Sequence, residues 1–281
     1  MTAKSPIIVK VSGPLVVAEN MQEAKMYEVV KVGEERLVGE VIRLEDGNAS
    51  IQVYEETAGV GPGEPVELTG KTLSVELGPG LLESIYDGVQ RPLEVLEQKS
   101  GHFLARGIDA PGLDQTKKWD FVPKVSKGDT VKGGDVLGTV QETTLILHKI
   151  MAPAEIESAT VESIEAGHFS VTETVVVLKD EKGKKHEVAL RQFWPIRNAR
   201  KIKEKRIPEE PLITGGRSID MFFPLVKGGA GCIPGPFGAG KTVTQQGLAK
   251  FCDAQVIVYI GCGERGNEMT EVLNEFPHLL D

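Results

Sequence analysis

Aromatic residues are scarce in this sequence, 5% of 281 positions, which argues against a binding surface built from stacked rings. Cysteine is scarcer still. Cys232, Cys252 and Cys262 are too few for a disulfide framework and lack the paired spacing of a zinc site, so three buried free thiols in a reducing compartment are expected. No apolar run reaches the roughly 18 residues of a membrane-spanning helix, and Met1 to Lys10 holds no apolar stretch of signal-peptide length. The chain is therefore expected neither to enter nor to cross a bilayer unaided. Positive charge is also in deficit: 32 Lys and Arg against 41 Asp and Glu leave −9. No overall field draws the chain to nucleic acid or anionic lipid, and an anionic ligand must be held locally.

What is abundant is glycine and proline, 32 and 16 residues, the material of turns and backbone-lined sites. Hydrophobic and charged residues, 40% and 26%, are in globular proportion. The length allows one large domain or two to three smaller ones. From Ile7 to Leu68, short β-branched runs (Ile7 to Val11, Tyr27 to Val32, Leu37 to Leu44, Ile51 to Tyr54) are separated by turn residues, which predicts an antiparallel β-barrel over residues 1–70. Asp46-Gly47-Asn48 marks a hairpin there. In residues 71–109, Leu81 to Tyr86 suggest a short helix, and Arg91-Pro92-Leu93 opens another apolar stretch.

Residues 110–197 are again strand-rich, with Val171 to Leu178 the most continuous β-branched run. Val125 to Gly138 places two Gly-Asp turns between valines, similar to the flattened sandwich of biotinyl and lipoyl carrier domains. A carrier reading would put the modified lysine at Lys149, which follows the apolar run Leu145-Ile146-Leu147 rather than occupying an exposed tight turn. The expectation is the sandwich shape without that chemistry. Between Lys179 and Arg206 stand 11 Lys or Arg and 4 Asp or Glu, read as a solvated hairpin followed by a charged linker rather than a nucleic-acid patch.

Gly235-Pro236-Phe237-Gly238-Ala239-Gly240-Lys241-Thr242 is a full G-x-x-x-x-G-K-[ST] motif, in which backbone N–H groups and a helix N-terminus cradle phosphate. The surroundings agree. Gly231 to Pro234 is a short run read as the preceding strand, Thr242 to Phe251 has helical spacing, and Gln255 to Ile260 has the density of a buried parallel strand. In such a βαβ unit Lys241 neutralises the β- and γ-phosphates and Thr242 holds Mg²⁺. Glu264 and Arg265 leave the second strand at its carboxyl end, beside the phosphate loop, and Glu264 is a candidate to orient the attacking water. A carboxylate favoured by a helix N-terminus is the plainer reading of Glu264. Asn267 to Leu280 reads as a half-buried helix.

The phosphate loop followed by Gly261-Cys262-Gly263-Glu264-Arg265-Gly266-Asn267-Glu268, with Ala24-Lys25-Met26-Tyr27-Glu28-Val29 and Asp87-Gly88-Val89-Gln90-Arg91-Pro92-Leu93 upstream, resembles the catalytic A subunit of archaeal and vacuolar-type rotary ATPases. The resemblance implies a mixed β and α/β fold. Residues 1–70 would form the N-terminal barrel, residues 110–197 an inserted β-rich bulge, and residues 71–109 with 198–281 a discontinuous, incomplete P-loop α/β nucleotide-binding domain. It further implies ATP synthesis or hydrolysis coupled to proton or sodium transport, with ATP or ADP and Mg²⁺ as ligands. Noncatalytic B subunits alternating in a hexamer, stalk subunits and a membrane sector would be the partners, on the cytoplasmic face of a membrane. Carried over by position, Gly235 to Thr242 bind phosphate, Thr242 the metal, Glu264 activates water, and Arg265 lies near the γ-phosphate. Some vacuolar relatives carry a cysteine in the loop where this chain has Ala239, so a thiol switch at that position is excluded. The family subunit is about twice as long, and the isolated chain, ending at Asp281, is expected to hydrolyse ATP negligibly. A nucleotide-binding or assembly fragment without turnover is the alternative.

Overall fold

The computed structural model describes residues 4–101, 105–200, 202, 204–236 and 238–275. It divides into two compact units, Met1–Lys201 and Ile202–Asp281. The first unit begins with six strands, β1 (Ile7–Ser12), β2 (Leu15–Glu19), β3 (Glu28–Val32), β4 (Leu37–Glu45), β5 (Asn48–Val53) and β6 (Val66–Thr72), ordered β1-β2-β5-β4-β3-β6 with every pairing antiparallel. The sheet closes on itself. Ile8 N–H donates to Glu64 O at 2.8 Å, Gly63 N–H donates to Ile8 O at 2.8 Å, and Ile7 bridges Pro65, so the predicted barrel is present.

Register shifts at Ile8/Lys10, Val41/Arg43 and Glu28/Val30 supply the local bends that closure requires. Period-two alternation sends Val30, Val32, Ile51, Val53, Val16 and Ala18 inward, where they pack with Ile8, Leu37 and Val41. The β4–β5 hairpin turns on Asp46 and Gly47, at φ 46° and 80°. Both residues tolerate the left-handed region, and a β-branched residue there would not.

A short antiparallel pair, β7 (Ser74–Leu77) with β16 (Gln192–Pro195), carries the chain out to the second layer and back. Between them lie α1 (Leu93–Ser100) and eight strands: β8 (Lys118–Pro123), β9 (Thr130–Val131), β10 (Val136–Gln141), β11 (Leu147–Met151), β12 (Ala159–Ile164), β13 (Gly167–Ser170), β14 (Thr174–Asp180) and β15 (Lys185–Ala189). They form two four-stranded sheets, β11-β10-β8-β13 and β15-β14-β12-β9. Phe121, Leu137, Val140, Val161, Val176 and Leu178 fill the space between, as two facing antiparallel sheets require.

The paired Gly-Asp phrases are equivalent turns. Asp129 accepts the Ser126 N–H and Asp135 the Lys132 N–H, each at 2.7 Å. Lys149 lies within β11, paired with Thr139, and is not at a hairpin tip. Lys182 to Lys184 form the expected solvated hairpin between β14 and β15.

This unit departs from expectation at Leu81 to Tyr86 and at Arg197, and it also places residues 71–109 and 171–178. Leu81 to Tyr86 form a turn and an isolated bridge to Pro92 instead of a helix: Glu83 sits at φ 63°, and Glu142 takes the Gly80 N–H at 2.6 Å, which ends any helix before it starts. The run Val171 to Leu178 is not one strand, because residues 171–173 turn and β14 begins at Thr174. Residues 71–109 lie in the first compact unit, with Arg91 on Glu55 at 3.2 Å and Gly107 N–H on Glu55 at 2.9 Å. Arg197, expected in a solvated linker, is bound to the barrel by Glu40.

The second unit contains β17 (Pro211–Leu212) paired with β18 (Leu225–Val226), α2 (Arg217–Phe222), α3 (Lys241–Phe251) and α4 (Gly266–Glu275). The predicted parallel strands are absent: residues 231–234 and 255–260 have no ladder partner, and Val258 and Ile260 are 77% and 74% exposed. A parallel strand is held by neighbours from distant sequence on both sides, and no described residue of this chain supplies one. The free thiols are not buried either, since Cys232 and Cys262 are exposed and Cys252 half-buried. Of the helix expected over Asn267 to Leu280, the part after Glu275 lies outside the described residues. Within it Val272 is buried, with Met269 and Leu273 half-buried.

Candidate functional site

The phosphate motif folds as a glycine turn that runs directly into α3. Gly238 has φ 78°, and Gly240 sits at φ 80°, ψ 18°, the left-handed conformation that glycine enters without a steric penalty. Pro236 O accepts the Ala239 N–H at 3.3 Å, and the helical ladder starts with Thr244 N–H on Gly240 O at 3.0 Å. No side chain caps the helix. The N–H groups of Lys241, Thr242 and Val243 thus have no acceptor inside the helix and offer partial positive charge to an anion. Lys241 and Thr242, the first two residues of α3, are half-buried; Gly235, Pro236, Gly238, Ala239 and Gly240 are exposed. Phe237 lies outside the described residues.

The far end of α3 is anchored. Asp253 N–H donates to Ile213 O at 3.0 Å, the Asp253 carboxylate accepts Ile213 N–H at 3.2 Å, and Lys227 lies 2.9 Å from the same carboxylate. The pair holds Asp253 below and Lys227 above their ordinary pKa values, in both cases chiefly through their mutual hydrogen bond. Gly215 passes so close that a Cβ there would lie 2.7 Å from Phe251 Cβ. Buried Thr214 is tied to Asp220 by backbone and hydroxyl, at 2.9 and 2.7 Å. These contacts set the helix that presents Lys241.

Glu264 is exposed in the turn before α4, where its carboxylate accepts the Tyr259 hydroxyl at 3.3 Å. Burial first, and then the Glu264 charge, push the Tyr259 hydroxyl above its ordinary value, so it stays a proton donor to that carboxylate. The residue carrying a first-turn acid in α4 is Glu268. Glu264 and Tyr259 line a shallow hollow of about 340 Å³ with Leu248, Ala249 and Cys252, and neither Lys241 nor Thr242 is among its lining residues. Arg265 is exposed, and its carbonyl starts α4 by accepting Met269 N–H at 3.1 Å.

The structure thus joins Lys241 and Thr242 to the glycine turn and leaves Glu264 and Arg265 at a different loop. Tyr259 was not anticipated; its signal was a hydroxyl at the end of a β-branched run, five residues before the carboxylate. Among the described residues no group of three or more His, Cys, Asp or Glu is placed to hold a metal ion. One hydroxyl, Thr242, with phosphate oxygens and water completing the shell, is a coordination Mg²⁺ accepts, and an uncapped helix start behind a glycine turn is suited to the phosphates.

Three family models match in succession: the "ATP synthase alpha/beta family, beta-barrel domain" over residues 8–70, the "ATPsynthase alpha/beta subunit barrel-sandwich domain" over 110–197, and the "ATP synthase alpha/beta family, nucleotide-binding domain" over 215–279. The "V-type ATP synthase alpha chain" of Thermoanaerobacter sp. (strain X514) is 59% identical over 98% of this chain and 46% of its own length. The A subunit of the A-type ATP synthase of Thermococcus kodakarensis is 61% identical over 98% of this chain and 47% of its own. The chain therefore spans about half the length of these relatives.

Among solved structures, the assembled ATPase EscN of the enteropathogenic E. coli type III secretion system matches 98% of this chain and 44% of its own. Its TM-score of 0.51 at 16% identity marks a likeness of fold. Barrel, sandwich and phosphate loop come in the order of the three family models, and identity to V-type alpha chains and A-type A subunits holds along nearly the whole sequence. The chain belongs to the ATP synthase alpha/beta family.

Proposed function

We propose that this chain carries the nucleotide-phosphate site of the catalytic subunit in a rotary ATPase, which performs ATP synthesis or hydrolysis coupled to proton or sodium transport. The observation that carries the reading is the glycine turn with Lys241 and Thr242 as the first two residues of an uncapped helix. Free N–H groups and the Lys241 ammonium would hold the β- and γ-phosphates, and the Thr242 hydroxyl would contribute one ligand to Mg²⁺. The bound nucleotide supplies the phosphoryl group and the metal its charge neutralisation; Glu264 would orient water and Arg265 face the γ-phosphate. Noncatalytic B subunits, stalk subunits and a membrane sector are the proposed partners, placing the chain on a cytoplasmic membrane face. The relatives' names, all those of ATP synthase chains, support membership of such an assembly. Among the described residues no helix is long and apolar enough to cross a membrane.

A second reading, nucleotide binding without turnover by the chain alone, is favoured by the exposed, unpaired run of Val256, Ile257, Val258 and Ile260 that leads to Glu264. Equilibrium binding of a fluorescent ATP analogue with Mg²⁺, beside Lys241→Ala, tests the site. Saturable binding lost in the variant is the expected result, and equal binding by both proteins would remove the phosphate site from the reading. Mg²⁺-dependent steady-state turnover by the purified chain would overturn the second reading.

A further inference from the structure

The sandwich is open along one side, where β11 is the outer strand of one sheet and β15 the outer strand of the other. Both strands line a cleft of about 1150 Å³. The phase of the β10–β11 pairing decides which backbone groups of β11 are already bonded. Glu142 N–H donates to Ile146 O at 3.1 Å, and antiparallel pairs alternate between bonded and non-bonded, so His148 and Ile150 exchange hydrogen bonds with Val140 and Gly138 of β10. The N–H and C=O groups of Leu147 and Lys149 point the other way, where β11 has no neighbouring strand among the described residues.

The side chains alternate in the same phase. Ile150 is buried and His148 turns to Glu142, whose carboxylate lies 2.9 Å from its Nδ1, while Leu147 is 49% exposed and Lys149 is exposed. Lys149 stands opposite Thr139, so its charge has no cross-strand partner inside the sheet. β16 lines the same cleft with Phe193, 60% exposed, and Trp194, their rings covered by the Arg191 and Arg200 guanidinium groups at 5.2 and 4.9 Å. Aromatic rings and arginine are the residues that protein interfaces concentrate at their centres.

We propose that the free edge of β11, from Leu147 to Met151, receives an extended segment of a partner protein as an added strand, with an Asp or Glu of that segment opposite Lys149 and apolar side chains turned into the cleft. Edge addition takes its affinity from main-chain hydrogen bonds and its selectivity from alternate side chains. A lysine at the centre of an edge strand discourages indiscriminate pairing, and an opposite charge directly across from it is the favourable neighbour. The same rule sets aside a second copy, because β11 paired with itself along its full length would place Lys149 against Lys149. This inference is independent of the nucleotide chemistry proposed above.

The probe is a fluorescently labelled peptide, Thr-Val-Glu-Val-Thr, compared with the same peptide carrying Lys in place of Glu and with a copy whose central backbone nitrogen is methylated. Anisotropy titration of the whole chain should show saturable binding of the Glu peptide, tighter than the Lys peptide by about threefold or more, and none of the methylated copy. Lys149→Glu, a change at an exposed position, should reverse the preference, with circular dichroism confirming the fold. Bound Glu peptide should slow amide hydrogen exchange at Leu147 and Lys149 by about tenfold or more. No binding of the Glu peptide, equal affinity for any two of the three peptides that include it, or binding that leaves those two amides unprotected would overturn the proposal. A dimer by light scattering that protects the same amides without peptide would assign the edge to a second copy and overturn it as well.

Discussion

The two units contain similar β-branched runs and make opposite use of them. In Met1–Lys201, Val30, Val41, Ile51, Val161 and Val176 are buried between antiparallel strands that lie near one another in sequence. In Ile202–Asp281, Val256, Ile257, Val258 and Ile260 are exposed, and Val272 is the buried aliphatic among the described residues. The difference lies in where pairing partners come from. A hairpin carries its own neighbour across a two-residue turn, whereas a parallel strand needs one delivered through a crossover. Equal local propensity gives a core in the first case and an unpaired segment in the second.

The widest gap between the units should appear in core truncation. Phe121→Ala, in the middle of the sandwich, should cost about 3–5 kcal/mol, measured by urea unfolding followed through Trp119 and Trp194, both in the first unit. Lys241→Ala should weaken nucleotide-analogue binding by roughly ten- to a hundredfold, the equivalent of ~1.5–3 kcal/mol for a hydrogen bond to a charged group. The same tryptophan-detected midpoint should stay fixed, and a shift in it would break the separation of the units.

Overfilling is a milder test of the sandwich. A Cβ at Gly138 would lie 2.2 Å from Phe121 Cε2, so Gly138→Ala should destabilise by about 1–3 kcal/mol. Burial, and then the hydrogen bond and charge of Glu40, push the Tyr54 hydroxyl up to about 12. With the folded pKa raised above the unfolded one, the contribution to stability is full below pH 10 and is lost as pH rises toward 12. Tyrosinate absorbance should show a final step near pH 12 that Tyr54→Phe removes. The smallest effect belongs to the second unit: Val258→Ser should change stability within ~0.5 kcal/mol, and a core-sized loss there would abolish the contrast.

Legibility followed the same division. The β4–β5 hairpin could be read because Asp46-Gly47 dictates its own turn, and α3 because glycines, Lys241 and helical spacing coincide. The 255–260 segment could not, since composition reports the wish to be a strand and says nothing of the neighbour that makes one. Glu40 was invisible in an otherwise apolar run because its partner lies 157 residues away, and Tyr259 because its role depends on where a loop returns. Of the proposed site, the anion cradle is local and was legible. The positions of Glu264 and Arg265 relative to it depend on tertiary folding, which residue types alone do not specify.

The β7–β16 pair places Leu77 opposite Gln192, roughly 5 Å apart as neighbouring strands are. The chain between them leaves and returns at one point, and once Arg91 and Gly107 have packed back on Glu55, the sandwich that follows is an excursion an ancestral gene could acquire or lose. The sandwich is in that sense a cassette, and its termini already lie where a graft onto another scaffold would need them.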